Sequence, residues 1–507
     1  MHVGYAHVRQ LLRLAAFPPH RPARVQPVTR VQAMGDHLAV PARIAPASDD
    51  PLLHLLFALK HEGVELGILM EALTRIPGQR MLEEITATPG GAYIRIACHL
   101  WEQANHALLD DIPTVTGRAV PLFPPDRYLT GAAIRNPRWR VDDNRLGTPA
   151  WAATVRRTPA IEEGLRADIP AQANLFADRM DRLLLDRALA WAYLHETRDS
   201  FAIEREAPSE QRQRAFVALL HQAHERRPLD EDYLTELQQA TVSNPLDRAV
   251  GFRHQQNWLQ GPLRGSAGVT YVPPPPEVAR ELMDALMAFA NEGTAGVDPL
   301  VAAGVISFGF VLIHPFMDGN GRLSRFLFHH ALCRSGALRS GLILPVSVAM
   351  KKHEADYLGA LQSFSRPARD RWDVSWLAED DYAFAWRGDP GHAIYRYWDA
   401  TPCVEFGLRM AAQALQVELR QETEYLQHYD AIIRRVEADV DMRGSDLATL
   451  VIACLDQGGR LSKRRRDQFR HRVPEAAFGL IEAATREVLA ATAMDPARND
   501  GNAEGEP

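Results

Sequence analysis

The chain has few cysteines and no apolar run long enough to cross a membrane. Its 507 residues include four cysteines, and their spacing fits neither a zinc knuckle nor a disulfide framework: Cys98, Cys333, Cys403 and Cys454. The longest apolar run, residues 301–313, falls short of the roughly 20 residues that a membrane helix needs. We therefore expect a cytoplasmic protein that makes no membrane contact.

A general excess of basic charge is also missing. The formal net charge is −7, which excludes a surface built throughout to hold nucleic acid. The run 462–472 is a local exception, because it holds several arginines shortly after Gly458 and Gly459. It has two interpretations: a solvated basic face, which is the commoner case, or a small helix-turn-helix unit that contacts DNA.

The first 35 residues lack acidic side chains and carry five arginines. Organelle transit peptides share this bias. We expect residues 1–47 to be a disordered extension, in which Met34 is an alternative start.

Apolar periodicity predicts a mainly α-helical protein after this extension. We expect an N-terminal domain of unknown role over 48–177, with many prolines between 110 and 160 that exclude a long helix there. A central domain over 178–385 and a C-terminal helical region over 386–490 follow, and then a disordered tail over 491–507.

One segment of the central domain predicts β-structure. Glycines precede the β-prone run Val269–Val272, and four prolines follow it. We predict a short β-hairpin over Gly261–Val272.

A loop after the apolar run 301–313 has the composition of an anion site. Pro315 prevents simple continuation of the preceding helix at His314, and Gly319–Gly321 predicts a tight turn into a new helix near Arg322. Backbone N–H groups at the start of a helix bind anions, so we predict that this loop holds phosphate.

Two arginines in the first turn of that helix strengthen the prediction. Arg322 and Arg325 share a helix face, where the helix dipole disfavours each cation by about 0.3 to 1 kcal/mol. Neither has an acidic residue four positions later. Their missing partner is therefore a polyphosphate or a distant carboxylate.

The twelve residues from His314 to Arg325 resemble the signature of the Fic family, His-Pro-Phe-x-Asp-Gly-Asn-Gly-Arg-x-x-Arg. The resemblance covers roughly residues 180–370 and includes Gln256–Trp258 and Tyr271–Pro276, which look like the flap that positions the family's targets. It implies a Fic helical core with a hairpin flap. It also implies a protein adenylyltransferase that moves AMP from ATP, with Mg²⁺, to a Ser, Thr or Tyr hydroxyl of a protein target.

The resemblance implies a role for each residue of the loop. His314 would be the general base that accepts the proton of the attacking hydroxyl. Asp318 would hold Mg²⁺ against the phosphates, since Mg²⁺ is usually bound by one or two carboxylates plus phosphate oxygens. Asn320 and the N–H groups of Gly319 and Gly321 would orient the α-phosphate.

Four further residues take roles from the same resemblance. Arg322 would contact the β-phosphate and Arg325 the γ-phosphate, while Phe316 would pack beneath the loop. Tyr357 resembles a residue near the adenine pocket, although Lys352-His353 replaces the usual Asn-Arg there. Adenine stacking and core packing remain equal alternatives for Tyr357.

Some Fic enzymes carry an inhibitory helix with the pattern Ser/Thr-x-x-x-Glu-Gly/Asn, whose Glu pairs with the second motif arginine. Ser200 and Glu204 have this spacing, but Arg205 stands where Gly or Asn is usual and does not readily adopt the left-handed conformation. The resemblance implies that Glu204 pairs with Arg325 and obstructs the γ-phosphate. A solvated charge is the alternative, and Glu204 could also position water for AMP removal.

Three other functions stay open. Related folds transfer phosphate or other nucleotides, or remove AMP, with nearly the same loop. A metal-dependent phosphohydrolase that uses His314 and Asp318 is disfavoured, because no second ligand set is spaced nearby. A nucleotide-sensing DNA-binding regulator is the non-enzymatic alternative. We also consider a homo-oligomer.

Overall fold

The computed structural model describes residues 1–225, 227–242, 244–378 and 381–493. These residues are mainly α-helical with a few small sheets, which confirms the predicted fold class. The chain divides into two compact units. Unit 1 comprises Met1–Asn174 and Tyr193–Ala414, and unit 2 comprises Leu175–Ala192 and the chain from Leu415 onward. Within the described residues, no helix is both long and apolar enough to cross a membrane.

Unit 1 begins with a folded segment where the sequence predicts a disordered extension over residues 1–47. Four short strands form one sheet in the order β1-β2-β4-β3. The elements are β1 (His2–Val3), α1 (Gly4–Leu11), β2 (Ala23–Val25), β3 (Gln32–Met34) and β4 (His37–Val40).

This segment is held in place because carboxylates from later in the chain accept hydrogen bonds from its backbone N–H groups. Glu62 accepts a hydrogen bond from the Tyr5 N–H at 3.0 Å, and Glu71 accepts bonds from the Ala15 and Ala16 N–H groups at 2.9 and 2.8 Å. The acidic partners of this segment thus come from later in the chain, and the prediction that residues 1–47 are disordered is wrong.

The next part of the chain alternates helices with very short strands, and its prolines exclude a long helix between 110 and 160. Its elements are α2 (Pro51–His61), α3 (Leu66–Leu73), α4 (Gly78–Ala87), α5 (Ala92–Asn105), β5 (Val120–Pro121), β6 (Tyr128–Leu129), β7 (Ile134–Asn136), β8 (Val141–Asp143), β9 (Leu146–Gly147), β10 (Ala152–Arg156), α6 (Pro159–Ala167) and α7 (Ile169–Asp178).

The central part of the chain carries the candidate site. Its elements are α8 (Arg182–Ile203), α9 (Glu210–Gln222), α10 (Glu231–Thr241), β11 (Leu259–Gln260), β12 (Val269–Tyr271), α11 (Pro276–Ala288), α12 (Pro299–Ile313), α13 (Asn320–Arg334), α14 (Val346–Lys352) and α15 (Glu354–Arg369). Helix α12 is buried along nearly its whole length and packs against α13. The Asp298 side chain starts α12 by accepting hydrogen bonds from the Leu300 and Val301 N–H groups.

The predicted hairpin is present as the antiparallel pair β11–β12. A second hairpin, which the sequence analysis missed, follows as β13 (Trp372–Ala378) and β14 (Asp381–Trp386). Helix α16 (Ala393–Arg396), β15 (Tyr397–Asp399) and α17 (Thr401–Gln413) complete unit 1.

The predicted boundaries around the central domain differ from the compact units. Strand β10 pairs in parallel with β15, so the region 48–177 shares a sheet with residues that were expected to belong to the C-terminal region. Both lie in unit 1 together with α12 and α13.

Unit 2 contains the C-terminal helices α18 (Arg420–Glu437), α19 (Gly444–Leu455), α20 (Lys463–Phe469) and α21 (Glu475–Ala493). Fully buried Ile432, Leu450 and Phe478 belong to its own apolar core. Helix α21 continues three residues into the predicted tail over 491–507, and the rest of that tail lies outside the described residues.

Candidate active site

The loop between α12 and α13 forms the centre of the site. His314 ends α12 in the left-handed conformation, with a φ of 56°, and its N–H donates to the Phe310 carbonyl at 2.9 Å. Gly319, with a φ of 88°, precedes α13, which begins at Asn320, two residues before the predicted start. The tight turn expected from the glycines is therefore present.

The Asn320 side chain closes this loop on itself. Its Oδ1 accepts from the Phe316 N–H at 3.0 Å, and its Nδ2 donates to the Phe316 carbonyl at 2.8 Å. Asn257 Nδ2 donates to the same carbonyl at 2.9 Å. The Phe316 ring is fully buried, as expected for an anchor beneath the loop. Asn320 thus positions the loop in this structure, and its predicted contact with the α-phosphate stays a prediction.

Arg253 is a second brace of the loop, and no sequence motif identified it. Its Nε donates to the His314 carbonyl at 2.9 Å, its N–H donates to the Pro315 carbonyl at 2.8 Å, and its Nη2 donates to the Pro274 carbonyl at 2.5 Å. Burial lowers the pKa of Arg253 to about 10, so it remains a cation at neutral pH. It joins the loop to the prolines that follow β12.

The His314 imidazole is oriented as a base. Its Nδ1 lies 3.0 Å from the Val311 carbonyl, so Nδ1 carries the proton and Nε2 has a free lone pair. Burial lowers the pKa of His314 to about 4. The ring is therefore neutral at pH 7 and can accept a proton there.

Asp318 lies at the exposed end of the loop. Its Oδ1 accepts from the Gly319 N–H at 2.6 Å, and both carboxylate oxygens lie 3.2 Å from Arg322 Nη2. Gln238 donates to the Asp318 carbonyl at 3.2 Å and so holds this residue from α10. A carboxylate beside the predicted anion site is the donor that Mg²⁺ would require.

A different group, His7, Asp49 and His54, has metal-ligand spacing among the described residues. The His54 ring is already used, because Nδ1 accepts from the Gly4 N–H and Nε2 faces the Ser48 carbonyl, both at 3.0 Å. The group of three is therefore a weaker candidate for a metal site than Asp318.

Arg325 is fully enclosed by the end of α8. Its Nε donates to Ser200 Oγ at 2.9 Å, and its Nη2 donates to the Ser200 carbonyl at 2.7 Å and to Glu204 Oε1 at 2.9 Å. Burial opposes the charged form of Arg325, but the Glu204 carboxylate outweighs it and raises the pKa. The pair expected between Glu204 and Arg325 is present.

The Glu204 carboxylate also lies against the start of α13. A Cβ atom added at Gly321 would overlap Glu204 Oε1. A larger residue at this position would therefore displace the carboxylate, which lies where the sequence predicts phosphate. The position provides a second reason for Gly321, besides the turn.

Helix α8 ends as the inhibitory pattern requires, despite Arg205. Arg205 adopts a φ of 59°, its N–H donates to the Ala202 carbonyl at 3.0 Å, and the Glu206 N–H donates to the Phe201 carbonyl at 3.1 Å. These are the two hydrogen bonds of a Schellman ending. The expectation that arginine would prevent this ending is corrected, at a conformational cost of about 1 kcal/mol.

Glu206 supplies a second acid, which no sequence motif identified. Its Oε2 lies 2.7 Å from Nη1 of Arg322, whose side chain is 1% exposed. The Arg322 guanidinium also lies 5.1 Å from the Phe201 ring centre. Both motif arginines thus pair with carboxylates from the end of α8.

Deeper in the core, Glu196 joins α8 to α13 and α14. Its Oε1 lies 2.8 Å from His329 Nε2, and its Oε2 accepts from the Ser347 N–H at 2.7 Å. His330, which is also buried, contacts the Arg227 carbonyl at 3.2 Å, so both histidines pack within the core.

Tyr357 is 6% exposed and packs against aromatic rings. Its ring centre lies 5.7 Å from that of Phe406 and 6.1 Å from that of Phe308. This environment favours core packing over adenine stacking.

Comparisons with known proteins agree with this geometry. A model of the Fic/DOC family matches residues 228–332. The chain is 35% identical to protein adenylyltransferase fic-1 of Caenorhabditis briggsae over 100 residues, and this stretch makes up 19% of this chain and 19% of that protein. It is 34% identical to protein adenylyltransferase Fic of Aedes aegypti over 112 residues, and this stretch makes up 22% of this chain and 19% of that protein. The match thus spans about a fifth of these curated relatives.

Two solved structures are similar to this chain at low identity. A Fic family protein from Desulfovibrio desulfuricans G20 covers 62% of this chain and 87% of its own, with 21% identity and a TM-score of 0.39. A Fic domain containing signaling protein from Bacteroides thetaiotaomicron VPI-5482 covers 52% of this chain and 96% of its own, with 16% identity and a TM-score of 0.35.

Proposed function

Because the chain is a Fic-family protein, we propose that it transfers AMP from ATP to a Ser, Thr or Tyr hydroxyl of a protein target. The observation that carries the proposal is the neutral, oriented His314 in a loop that continues directly into the anion site at the start of α13. A base, an anion site and a metal-binding carboxylate within twelve residues suffice for transfer by positioning and electrostatics.

The proposed reaction is an in-line displacement at the α-phosphorus. His314 Nε2 accepts the proton of the target hydroxyl, and the oxygen forms a bond to the α-phosphorus. The bond from that phosphorus to the bridging oxygen breaks, and pyrophosphate leaves. Asp318 would hold Mg²⁺, which neutralises phosphate charge when bound. Once released from their carboxylates, Arg322 and Arg325 would bind the β- and γ-phosphates.

The same geometry supports autoinhibition by Glu204. Its carboxylate accepts a hydrogen bond from Arg325 and lies over Gly321, so a γ-phosphate and Glu204 would compete for one cation. In this proposal, the described conformation is the inhibited one. The predicted cytoplasmic location and a homo-oligomer stay predictions.

Labelled ATP tests the donor. We expect protein, including the chain itself, to acquire label from α-labelled ATP with Mg²⁺ and none from γ-labelled ATP. The Glu204→Gly variant should be run beside the wild type because it lacks the competing carboxylate.

Label from the γ-phosphate would instead show phosphate transfer. Release of AMP from an AMP-modified protein, without its attachment, would indicate the reverse activity. Failure of all three reactions would contradict the proposed function.

Replacing Glu206 is expected to strengthen ATP binding, by less than the replacement of Glu204. Replacing Glu206 by Gln removes the negative partner of Arg322 but keeps side-chain size. Glu206 is 33% exposed, so we expect a gain of about 1 kcal/mol, or roughly fivefold in ATP affinity. Calorimetric titration with a non-hydrolysable ATP analogue measures it. Glu210→Gln, in an exposed pair with Arg214, is the matched control, and an equal change there would contradict the prediction.

A further inference from the structure

Unit 2 carries a concentration of positive charge that the proposed transfer reaction does not use. Residues 460–472 contain seven arginines and lysines and one acid, a net charge of +6, whereas the whole chain carries −7. Charge of one sign is therefore segregated onto one short segment. Its effect depends on which of these cations the fold already neutralises.

Two of the cations hold the unit together. Arg466 lies 2.6 Å from Glu482 of α21 and 5.5 Å from the Phe478 ring centre. Arg472 lies 2.9 Å from Asp446 of α19. Because these two arginines are paired with carboxylates inside unit 2, they are not available to bind a partner.

Four other cations remain directed to solvent: Arg460, Lys463, Arg464 and Arg470. None of them makes an ion pair with a residue that the structure describes. The seventh cation, Arg465, donates a hydrogen bond to Gln468 Oε1 at 2.9 Å, and this amide is exposed on the same helix as Lys463 and Arg464. A free basic cluster with a neighbouring amide is the composition of a nucleic-acid surface.

The backbone presents this cluster on a small, firmly anchored helix. Gly458 and Gly459 adopt φ values of 61° and 93° and turn the chain between α19 and α20. Leu461 and Phe469, on either side of the basic residues, are buried in the core of unit 2. Helices α19 and α20 are thus consecutive helices joined by residues 456–462, a connection longer than the turn of three or four residues in a helix-turn-helix unit, and the second helix carries the charge.

We propose that α20 and its flanking residues form a binding surface for double-stranded DNA. Seven residues of helix are about 10 Å long, and the major groove is about 12 Å wide, so α20 fits within it. A membrane surface fits less well. Residues 456–472 expose no large apolar side chain, whereas interfacial helices bury one face in lipid.

Fluorescence anisotropy of the full chain with a labelled duplex of about 25 base pairs tests the surface between about 50 and 200 mM salt. We expect log K to fall linearly with log salt. Lys463→Gln/Arg464→Gln should weaken binding about tenfold or more at the lowest salt and reduce the slope by about 2, since each phosphate contact contributes about 0.9.

The control removes two charges from the same unit, at positions with exposed side chains on α18: Arg420→Gln/Arg434→Gln. Retention of the wild-type slope in the control supports the α20 surface. Three outcomes would overturn it: no duplex binding at the lowest salt, equal loss in both variants, or binding to anionic phospholipid vesicles without binding to duplex. The assay contains no ATP, so it is independent of AMP transfer.

Discussion

Replacing His314 by Asn is expected to slow AMP transfer by about 10²- to 10⁴-fold, the usual contribution of a general base. His314 has a φ of 56°, and Asn tolerates this left-handed conformation better than Ala does. The variant therefore removes the base and preserves the turn. We would measure initial rates with α-labelled ATP in the Glu204→Gly background, and ATP affinity by titration. Affinity should not change.

His330 provides a matched control for the loss of a buried imidazole. Burial also lowers its pKa to about 4, and it lies on α13, where it contacts the Arg227 carbonyl. His330→Asn should retain transfer even if it is less stable. Transfer by His314→Asn within tenfold of its parent would show that another group accepts the proton.

The pH dependence of AMP transfer tests whether His314 is neutral at physiological pH. Burial lowers the pKa of His314 from its ordinary value to about 4, so the neutral base is lost only as the pH falls through that value. We therefore expect kcat/KM, which reports the free enzyme, to show no titration of His314 between about pH 6 and 8. A limb with a pKa near 7 that disappears in His314→Asn would contradict the lowering of the His314 pKa by burial.

The loop was predictable because its chemistry is local in sequence. The proposed base, the carboxylate proposed to hold Mg²⁺ and both arginines lie within the twelve residues from His314 to Arg325, and glycines mark the turn between the helices. The apolar spacing before and after the loop predicted helices for the same reason. The partner of Arg325 was predictable only through the family pattern at Ser200 and Glu204.

The contacts that the sequence analysis missed are long-range. Glu206 and Arg322 are separated by 116 residues, and Arg253 and the His314 carbonyl by 61. No periodicity connects such positions. The same holds for residues 1–47, whose backbone partner Glu71 lies outside that segment.

The second hairpin differs, because the sequence did contain a signal for it. Trp372, Val374 and Trp376 alternate with polar residues, which is the period of a strand. In the structure Trp372 pairs with Trp386 and Val374 with Phe384, so one face is aromatic. Trp258, beside β11, contacts that face, with its ring centre 5.5 Å from that of Phe384. The hairpin thus supports the flap.

Glu204→Gly is expected to raise the rate of AMP transfer by at least about tenfold. A hydrogen bond to a charged group contributes about 1.5 to 3 kcal/mol, and the lower end applies because Glu204 is 37% exposed. Its loss frees Arg325 and the start of α13 for the γ-phosphate. Rates of label incorporation from α-labelled ATP measure the change. Glu210→Gly removes glutamate from an exposed pair with Arg214 and should leave the rate unchanged.

Combining Glu204→Gly with His314→Asn separates the switch from the chemistry. If Glu204 acts by competing with ATP, the double variant should bind ATP as tightly as Glu204→Gly and transfer AMP about 10²- to 10⁴-fold more slowly than Glu204→Gly. Tighter ATP binding without faster transfer in Glu204→Gly would mean that the carboxylate restricts nucleotide access but that another step limits turnover. No change in either quantity would remove Glu204 from the regulation of this site, and its pair with Arg325 would then serve only to hold α8 against α13.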